Sequence, residues 1–284
     1  MWYVIIGILF MLSWAWIIYE MINAPLISPE HGIEKQVESN KQENEVLVLG
    51  YGLLGKELVR QTGWDYICLE EQGFDITDTS TYHMMTKIEF GAIQYCPYKV
   101  IVNCIANTNT YSKERDSHWE VNYSGVDKLV EFCNRWNIKL VHISTDYVYA
   151  NSIKNVKETD VPVHQNTWYS YTKLLGDSHV QLKSKDYLIV RGGHKPNPFP
   201  FKSAYDNVVG NFDYVDKNTY IIKKLIENNL SGIYNIGANT KTMYDLAKET
   251  NIKVRKKTCG KSCDIPRELV MNINKLKKES KKWK

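Results

Sequence analysis

The chain predicts an α/β fold built on a doubly wound parallel sheet, and three observations predict it. A short apolar strand runs into a glycine turn and an amphipathic helix in EVLVLGYGLLGKELV, residues 45–59. Apolar strands then alternate with helical stretches as far as residue 190, the pattern of a sheet covered by helices on both faces. A composition of 43% hydrophobic and 24% charged residues over 284 positions supports a substantial core.

Taken in order, residues 1–19 carry no charged side chain before Glu20, and about 18–20 apolar residues can span a bilayer as a helix. Trp2, Tyr3, Trp14, Trp16 and Tyr19 supply interfacial anchors. There is no basic start and Pro25 follows Ala24, which fits a cleaved signal peptide poorly. The reading is a single transmembrane anchor over 1–22, then a tether over 23–44 containing Pro25, Pro29 and Gly32.

The first strand of the folded part ends in Gly50-x-Gly52-x-x-Gly55. The first glycine allows a tight turn, the second lets backbone approach a pyrophosphate, and the third allows close helix–strand packing. Leu53, Leu54, Leu58 and Val59 give the following helix its apolar face. A second strand, Tyr66 to Leu69, ends at Glu70 and Glu71. An acid there takes ribose hydroxyls and leans the choice toward NADH over NADPH, although a solvated acidic turn explains it equally well.

Residues 79–89 read as a helix, 99–105 as a buried strand and 112–136 as a helix. A strand at 139–144, a helix at 167–183 and a strand at 187–190 follow. Residues 45–195 thus form a dinucleotide-binding domain. Beyond Arg191, GGHKPNPFPFKSAYDN reads as a long loop. A helix near 217–229, a strand at 233–236 and a helix near 242–250 complete a small substrate lobe with a basic tail, 196–284, partly interleaved with the first domain.

Net charge is +4, and no basic stripe interleaved with aromatics appears, which argues against a nucleic-acid partner. Cys68, Cys96, Cys104, Cys133, Cys259 and Cys263 read as reduced structural thiols, because Cys259 and Cys263 form neither a CxxC nor a zinc pair. His83, His118, His142, His164 and His179 form no spaced metal-binding pair, so no metal is expected. The ending KLKKESKKWK reads as a solvated helix end, or as a second contact with anionic lipid.

Chemistry concentrates in STDY at 144–147 and YSYTK at 169–173. Positions four apart share a helix face, so Tyr169 and Lys173 can enter one site. A cation beside a phenol favours the phenolate and brings its pKa toward the working range. A hydroxyl such as that of Thr145 can hold a carbonyl oxygen where charge develops.

These residues, with FDITD at 74–78, IVNCIANT at 101–108, IVR at 189–191 and GIYNIG at 232–237, resemble the extended short-chain dehydrogenases/reductases, most closely the dTDP-4-dehydrorhamnose reductase type. The resemblance covers roughly Glu45 to Leu276. It implies that Gly52, Leu53 and Leu54 line the pyrophosphate, that Asp75 and Ile76 flank the adenine, and that Ile105, Ala106 and Asn107 line the cofactor channel. It implies that Thr145 and Asp146 contact the sugar, beside Tyr147 and His194. Tyr169 would be the catalytic acid, and Lys173 would bind the nicotinamide ribose while tuning that tyrosine, so both touch cofactor.

The expected reaction is NADH- or NADPH-dependent reduction of a 4-keto-6-deoxy nucleotide sugar. A nucleotide-sugar epimerase and a non-catalytic NAD(P)-binding regulatory subunit are the alternatives. Related 4,6-dehydratases carry an acid directly after Thr-Asp, where this chain has Tyr147, and that favours reduction. The glycine turn is one residue shorter than usual for these enzymes, and Gly192-Gly193-His194 stand where a hydroxyl and an aromatic are usual. The particular sugar is therefore not carried over. A cytosolic cofactor places the catalytic domain on the cytosolic side of the anchoring membrane, and a homodimer is among the assemblies the resemblance allows.

Overall fold

The computed structural model describes residues 44–283 apart from Phe90 and Ala92. The predicted anchor over 1–22, and the tether up to residue 43, lie outside the described residues. Among those described, no helix is long and apolar enough to cross a membrane.

β1 (Val46–Leu49) leads through the glycine turn into α1 (Leu53–Thr62) and β2 (Asp65–Ile67), followed by a short α2 (Leu69–Gln72). A 3-10 turn (Thr79–Met85) and a hairpin of β3 (Lys87–Glu89) and β4 (Ile93–Tyr95) connect to β5 (Val100–Asn103). α3 (Arg115–Trp119) continues through a π-helical turn (Glu120–Ser124) into α4 (Gly125–Trp136). β6 (Lys139–Ile143), a 3-10 turn (Asp146–Tyr149), α5 (Trp168–Lys183) and β7 (Tyr187–Arg191) complete the first part. β8 (His194–Lys195), β9 (Ser203–Tyr205), β10 (Val209–Gly210) and β11 (Asp213–Tyr214) follow as short strands. Then come α6 (Val215–Glu227), β12 (Gly232–Asn235), β13 (Lys241–Thr242), α7 (Met243–Thr250), β14 (Arg255–Lys257), β15 (Glu268–Leu269) and α8 (Asn274–Ser280).

Six strands form the main sheet in the order β2-β1-β5-β6-β7-β12, every pair parallel. Side chains alternate across a strand, so the two faces bury different residues. Leu47, Leu49, Ile101, Leu140 and Ile189 pack under α4, while Val48, Val102, Val141, Leu188 and Val190 pack under α1, α6 and α8. A third core of Phe199, Phe212, Tyr214, Leu246 and Val254 underlies the C-terminal lobe. The strand order turns back between β1 and β5, and a crevice opens there beyond the strand C-termini.

Several expectations need correction. The helix predicted over 79–89 is a 3-10 turn ending at Met85 followed by a hairpin strand; Asp78 caps the turn by accepting from Ser80 N–H. The second strand stops at Ile67, and Glu70 and Glu71 stand on a helical turn instead of a strand end. The stretch after Arg191 is not one long loop: β8 and β9 pair in parallel with β11 and β14. Cys259 and Cys263 form a disulfide, against the reading of reduced thiols; a tight turn, with Cys263 N–H donating to the Gly260 carbonyl, brings their Cα atoms to 5.6 Å. The described lysines of the basic end, Lys275, Lys277, Lys278, Lys281 and Lys282, are all exposed, as a solvated helix end requires, while Leu276 is buried and Trp283 packs on the second core.

Candidate active site

The glycine turn works through close approach. Gly50 holds φ at +88°, a left-handed conformation in which a side chain is strained. A Cβ on Gly55 would stand 1.9 Å from the Gly50 carbonyl oxygen, so α1 starts flush against the turn only because that atom is missing. Gly52 begins α1 with no side-chain cap on its free N–H groups, and a Cβ there would meet nothing within 4 Å. Unsatisfied donors at a helix N-terminus facing open space suit a dinucleotide pyrophosphate.

A cavity of about 460 Å³ runs from this turn along the strand ends. Gly52, Leu53, Leu54, Gly55 and Ala106 line one end; Thr145, Asp146, Tyr147, Tyr169, Lys173 and His194 line the other. The remaining predicted residues fall elsewhere. Glu70 is exposed on α2. Asp75 caps its own turn, its carboxylate accepting from the N–H and hydroxyl of Thr77 at 2.8 Å each. Ile76 is buried in the first core, and Ile105 packs against that core beside Gly50. The Asn107 side chain donates to Ser117 at 2.7 Å while its backbone N–H donates to Asn122.

Thr145 lies just past β6, buried, its Oγ1 donating to Asp146 Oδ1 and accepting from Tyr147 N–H, each at 3.2 Å. The side chain of Thr167 caps α5 by accepting from Ser170 N–H, which sets the phase that brings Tyr169 and Lys173 inward. Burial pushes the Tyr169 phenol up to about 12, and a hydrogen bond with the Thr145 hydroxyl pulls it partly back. Lys173 is 2% exposed and donates to the Ile143 carbonyl at 2.7 Å. Burial drives its ammonium down to about 8, opposed by the Asp177 carboxylate one turn further along α5. The expected lowering of the phenol pKa is therefore not seen: loss of hydration and the Asp146 and Asp177 carboxylates raise it, only the Thr145 hydrogen bond acts the other way, and Tyr169 keeps its proton at neutral pH.

Behind Lys173, Asp177 Oδ2 accepts from Arg191 Nε at 2.8 Å and Oδ1 lies 3.5 Å from His142 Nε2, all buried. Arg191 also donates to the Tyr149 hydroxyl. Asp146 is buried, which raises its pKa, with Lys195 and the Thr145 hydroxyl acting the other way. A Cβ on Gly193 would stand 2.8 Å from Asp146 Oδ2, which accounts for a glycine there.

At His194, Asn218 Nδ2 donates both to the Gly193 carbonyl at 3.1 Å and to His194 Nδ1 at 3.2 Å. The carbonyl fixes which end of the amide faces the ring, so Nδ1 accepts and the proton sits on Nε2. That Nε2 is buried with no protein partner. Burial, with Lys195 and Lys173 nearby, holds the imidazole pKa down to about 4. Tyr147 shares a 3.0 Å hydroxyl contact with Tyr111, and burial pushes its phenol upward.

Sequence reasoning missed Lys195, Gly193, Cys104 and Thr110, which also line the cavity. Phe199, Phe201, Tyr205 and Phe212 of the aromatic wall follow Lys195 closely in sequence, but nothing local shows that the chain folds them around it.

A parallel sheet with a glycine turn at its switch point, and a threonine, a tyrosine and a lysine meeting beyond the strand ends, define the short-chain dehydrogenase/reductase class of dinucleotide fold. Within that class, the chain belongs to the RmlD substrate binding domain family, whose model matches residues 44–194. It is 33% identical over 153 residues to the spore coat polysaccharide biosynthesis protein SpsK of Bacillus subtilis, covering 52% of each chain. It is 28% identical over 163 residues to a dTDP-4-dehydrorhamnose reductase of Mycobacterium tuberculosis, covering 54% of this chain and 50% of that one. The chain thus matches about half the length of these curated relatives. Among solved structures, the dTDP-4-dehydrorhamnose reductase of Bacillus anthracis in complex with NADP superposes with a TM-score of 0.69 at 22% identity, covering 85% of this chain and 93% of that one.

Proposed function

We propose that this protein is an NAD(P)H-dependent reductase of a 4-keto-6-deoxy nucleotide sugar. The observation that carries the reading is one cavity that joins the uncapped start of α1 to Thr145, Tyr169 and Lys173. Relatives named as dTDP-4-dehydrorhamnose reductase and, in Streptomyces niveus, as dTDP-4-keto-6-deoxy-D-glucose reductase support the substrate class.

When bound, the nicotinamide cofactor supplies hydride. The first-turn N–H groups of α1 hold the pyrophosphate, and Lys173, anchored on the Ile143 carbonyl, has further protons for the ribose hydroxyls. The Thr145 hydroxyl, which otherwise donates to Asp146 Oδ1, would turn its one proton to the sugar carbonyl oxygen. Tyr169, protonated at neutral pH like any phenol and held so to higher pH by burial, passes its proton to that oxygen as negative charge develops. Tyr147 is likewise a protonated phenol, with burial raising its pKa further, and is no base for eliminating water, which favours net reduction.

Mixing the protein with a panel of 4-keto nucleotide sugars and either nicotinamide, and following loss of nicotinamide absorbance, tests the reading. Tyr169→Phe should lower kcat by about 100- to 10,000-fold while cofactor affinity is kept. Turnover within a few-fold of wild type would sink the assignment. The same reading places residues 1–22 in a membrane with the catalytic part on the cytosolic face. Alkaline carbonate extraction of the full chain beside residues 45–284 tests the anchor, and release of both chains alike would exclude it. Sedimentation of the shorter chain tests the homodimer.

A further inference from the structure

Lys195 differs from every other lysine of similar burial. Among the described residues, Lys128, Lys139, Lys173, Lys223, Lys224 and Lys241 are likewise less than fully exposed. Each has a carbonyl, hydroxyl, amide or carboxylate oxygen within reach: Thr77, Asn229, Ile143, Glu227, Glu227 and Glu249 respectively. Lys195 has no hydrogen bond and no ion pair among the described residues; its ammonium stands over the Phe212 ring, 5.9 Å from the centroid. An ammonium with no acceptor in hydrogen-bond reach keeps all three of its N–H donors open to a ligand.

Its position indicates which ligand. Lys195 forms part of the wall between the catalytic cavity and a second cavity of about 360 Å³. That second cavity is walled by aromatic and apolar side chains, among them Phe199, Phe201, Tyr205 and Phe212. Lys257 stands at its rim over the Tyr205 ring, 5.0 Å from the centroid. β8 pairs with β11, setting Lys195 opposite Tyr214, so the strand holds the base of the side chain in place. Asp146 faces the same wall and its carboxylate feels the Lys195 charge, but the two form no ion pair, and Asp146 Oδ1 accepts from Thr145.

We propose that Lys195 holds the diphosphate of a nucleotide-linked sugar, with the sugar in the catalytic cavity and the nucleoside in the aromatic one. This rests on the reductase reading above and adds the residue that recognises the anionic link. The arrangement sets three chemistries in succession: donors for a carbonyl, a cation shared by both cavities for phosphate, and ring faces for a base.

The test is calorimetry on the full chain in detergent, saturated with NADPH so that the glycine turn is filled. dTDP and UDP are titrated alongside thymidine and uridine. Wild type should bind at least one diphosphate about 10- to 100-fold more tightly than its nucleoside. Lys195→Met should lose most of that advantage while binding the nucleoside as before, and Lys195→Arg should keep most of it. A purely structural lysine would not produce this split. Absence of the advantage in wild type, or its survival in Lys195→Met, overturns the assignment. If that occurs in a protein that turns over a 4-keto nucleotide sugar, the reductase reading stands alone. Loss of the advantage in a protein that turns over no such sugar supports the anion site and overturns the reductase.

Discussion

Two glycines three residues apart should separate cofactor binding from folding. A methyl on Gly55 would sit 1.9 Å from the Gly50 oxygen, whereas any Cβ closer than 3.0 Å forces movement. Gly55→Ala must therefore displace the start of α1 by about 1 Å, and overpacking of this kind costs about 1–3 kcal/mol. In a domain of this size that is a fall in Tm of about 2–12 °C. Gly52 has φ of −79°, which alanine adopts readily, and its methyl would meet no protein atom within 4 Å. Gly52→Ala should melt like wild type, yet its methyl enters the space reserved for pyrophosphate and should weaken NADPH by about 10- to 100-fold. Differential scanning fluorimetry reads the first quantity and quenching of protein fluorescence by NADPH the second. Wild-type affinity in Gly52→Ala, or an unchanged Tm in Gly55→Ala, would refute the argument that this turn is a close-packed cradle.

Three further outcomes follow from buried charge. Breaking the Asp177–Arg191 pair, whose side chains are 0% and 1% exposed, should cost about 3–5 kcal/mol in Asp177→Leu or Arg191→Met. The double variant should fall short of the sum by more than about 1 kcal/mol in urea titrations, and additivity would show the pair is uncoupled. Lys173 titrates at about 8, so kcat should decline as pH rises through that value, and Lys173→Arg should carry activity to higher pH; an identical alkaline limb would exclude Lys173 as its source. His194 sits near 4 when folded against 6.5 when free, so the unfolded chain binds more protons between those values. Its contribution is present above pH 6.5 and is lost as pH falls toward 4, and thermal melts of His194→Gln should show a shallower acid loss than wild type.

The parallel sheet was legible because buried strands such as KVIVNC and KLVHIS announce themselves by continuous apolar runs, and Gly50, Gly52 and Gly55 mark the first crossover. Thr145, Tyr169 and Lys173 were legible from local spacing, since α5 carries two of them and β6 ends at the third. Burial was not. The Tyr169 phenol moves up instead of down because the helices and strands around it remove water, a many-residue effect that no i,i+4 pattern encodes. The β3–β4 hairpin was missed because a seven-residue 3-10 turn precedes it and mimics helical periodicity. The disulfide depends on a turn at Gly260 that spacing alone does not specify.

After β7 the chain leaves the main sheet at β8, returns through β11 to α6 and β12, departs again for β13, α7, β14 and β15, and comes back as α8. The C-terminal lobe is therefore stitched to the sheet by four separate passages of backbone and not hung from one. A seam of this kind has no single axis about which to swing. A protease nick in any one passage leaves three others joining the lobe to the sheet. The spacing between the proton donor on α5 and the cation on β8 is built in during folding, and it acts as a fixed gauge of how long a molecule must be to reach both.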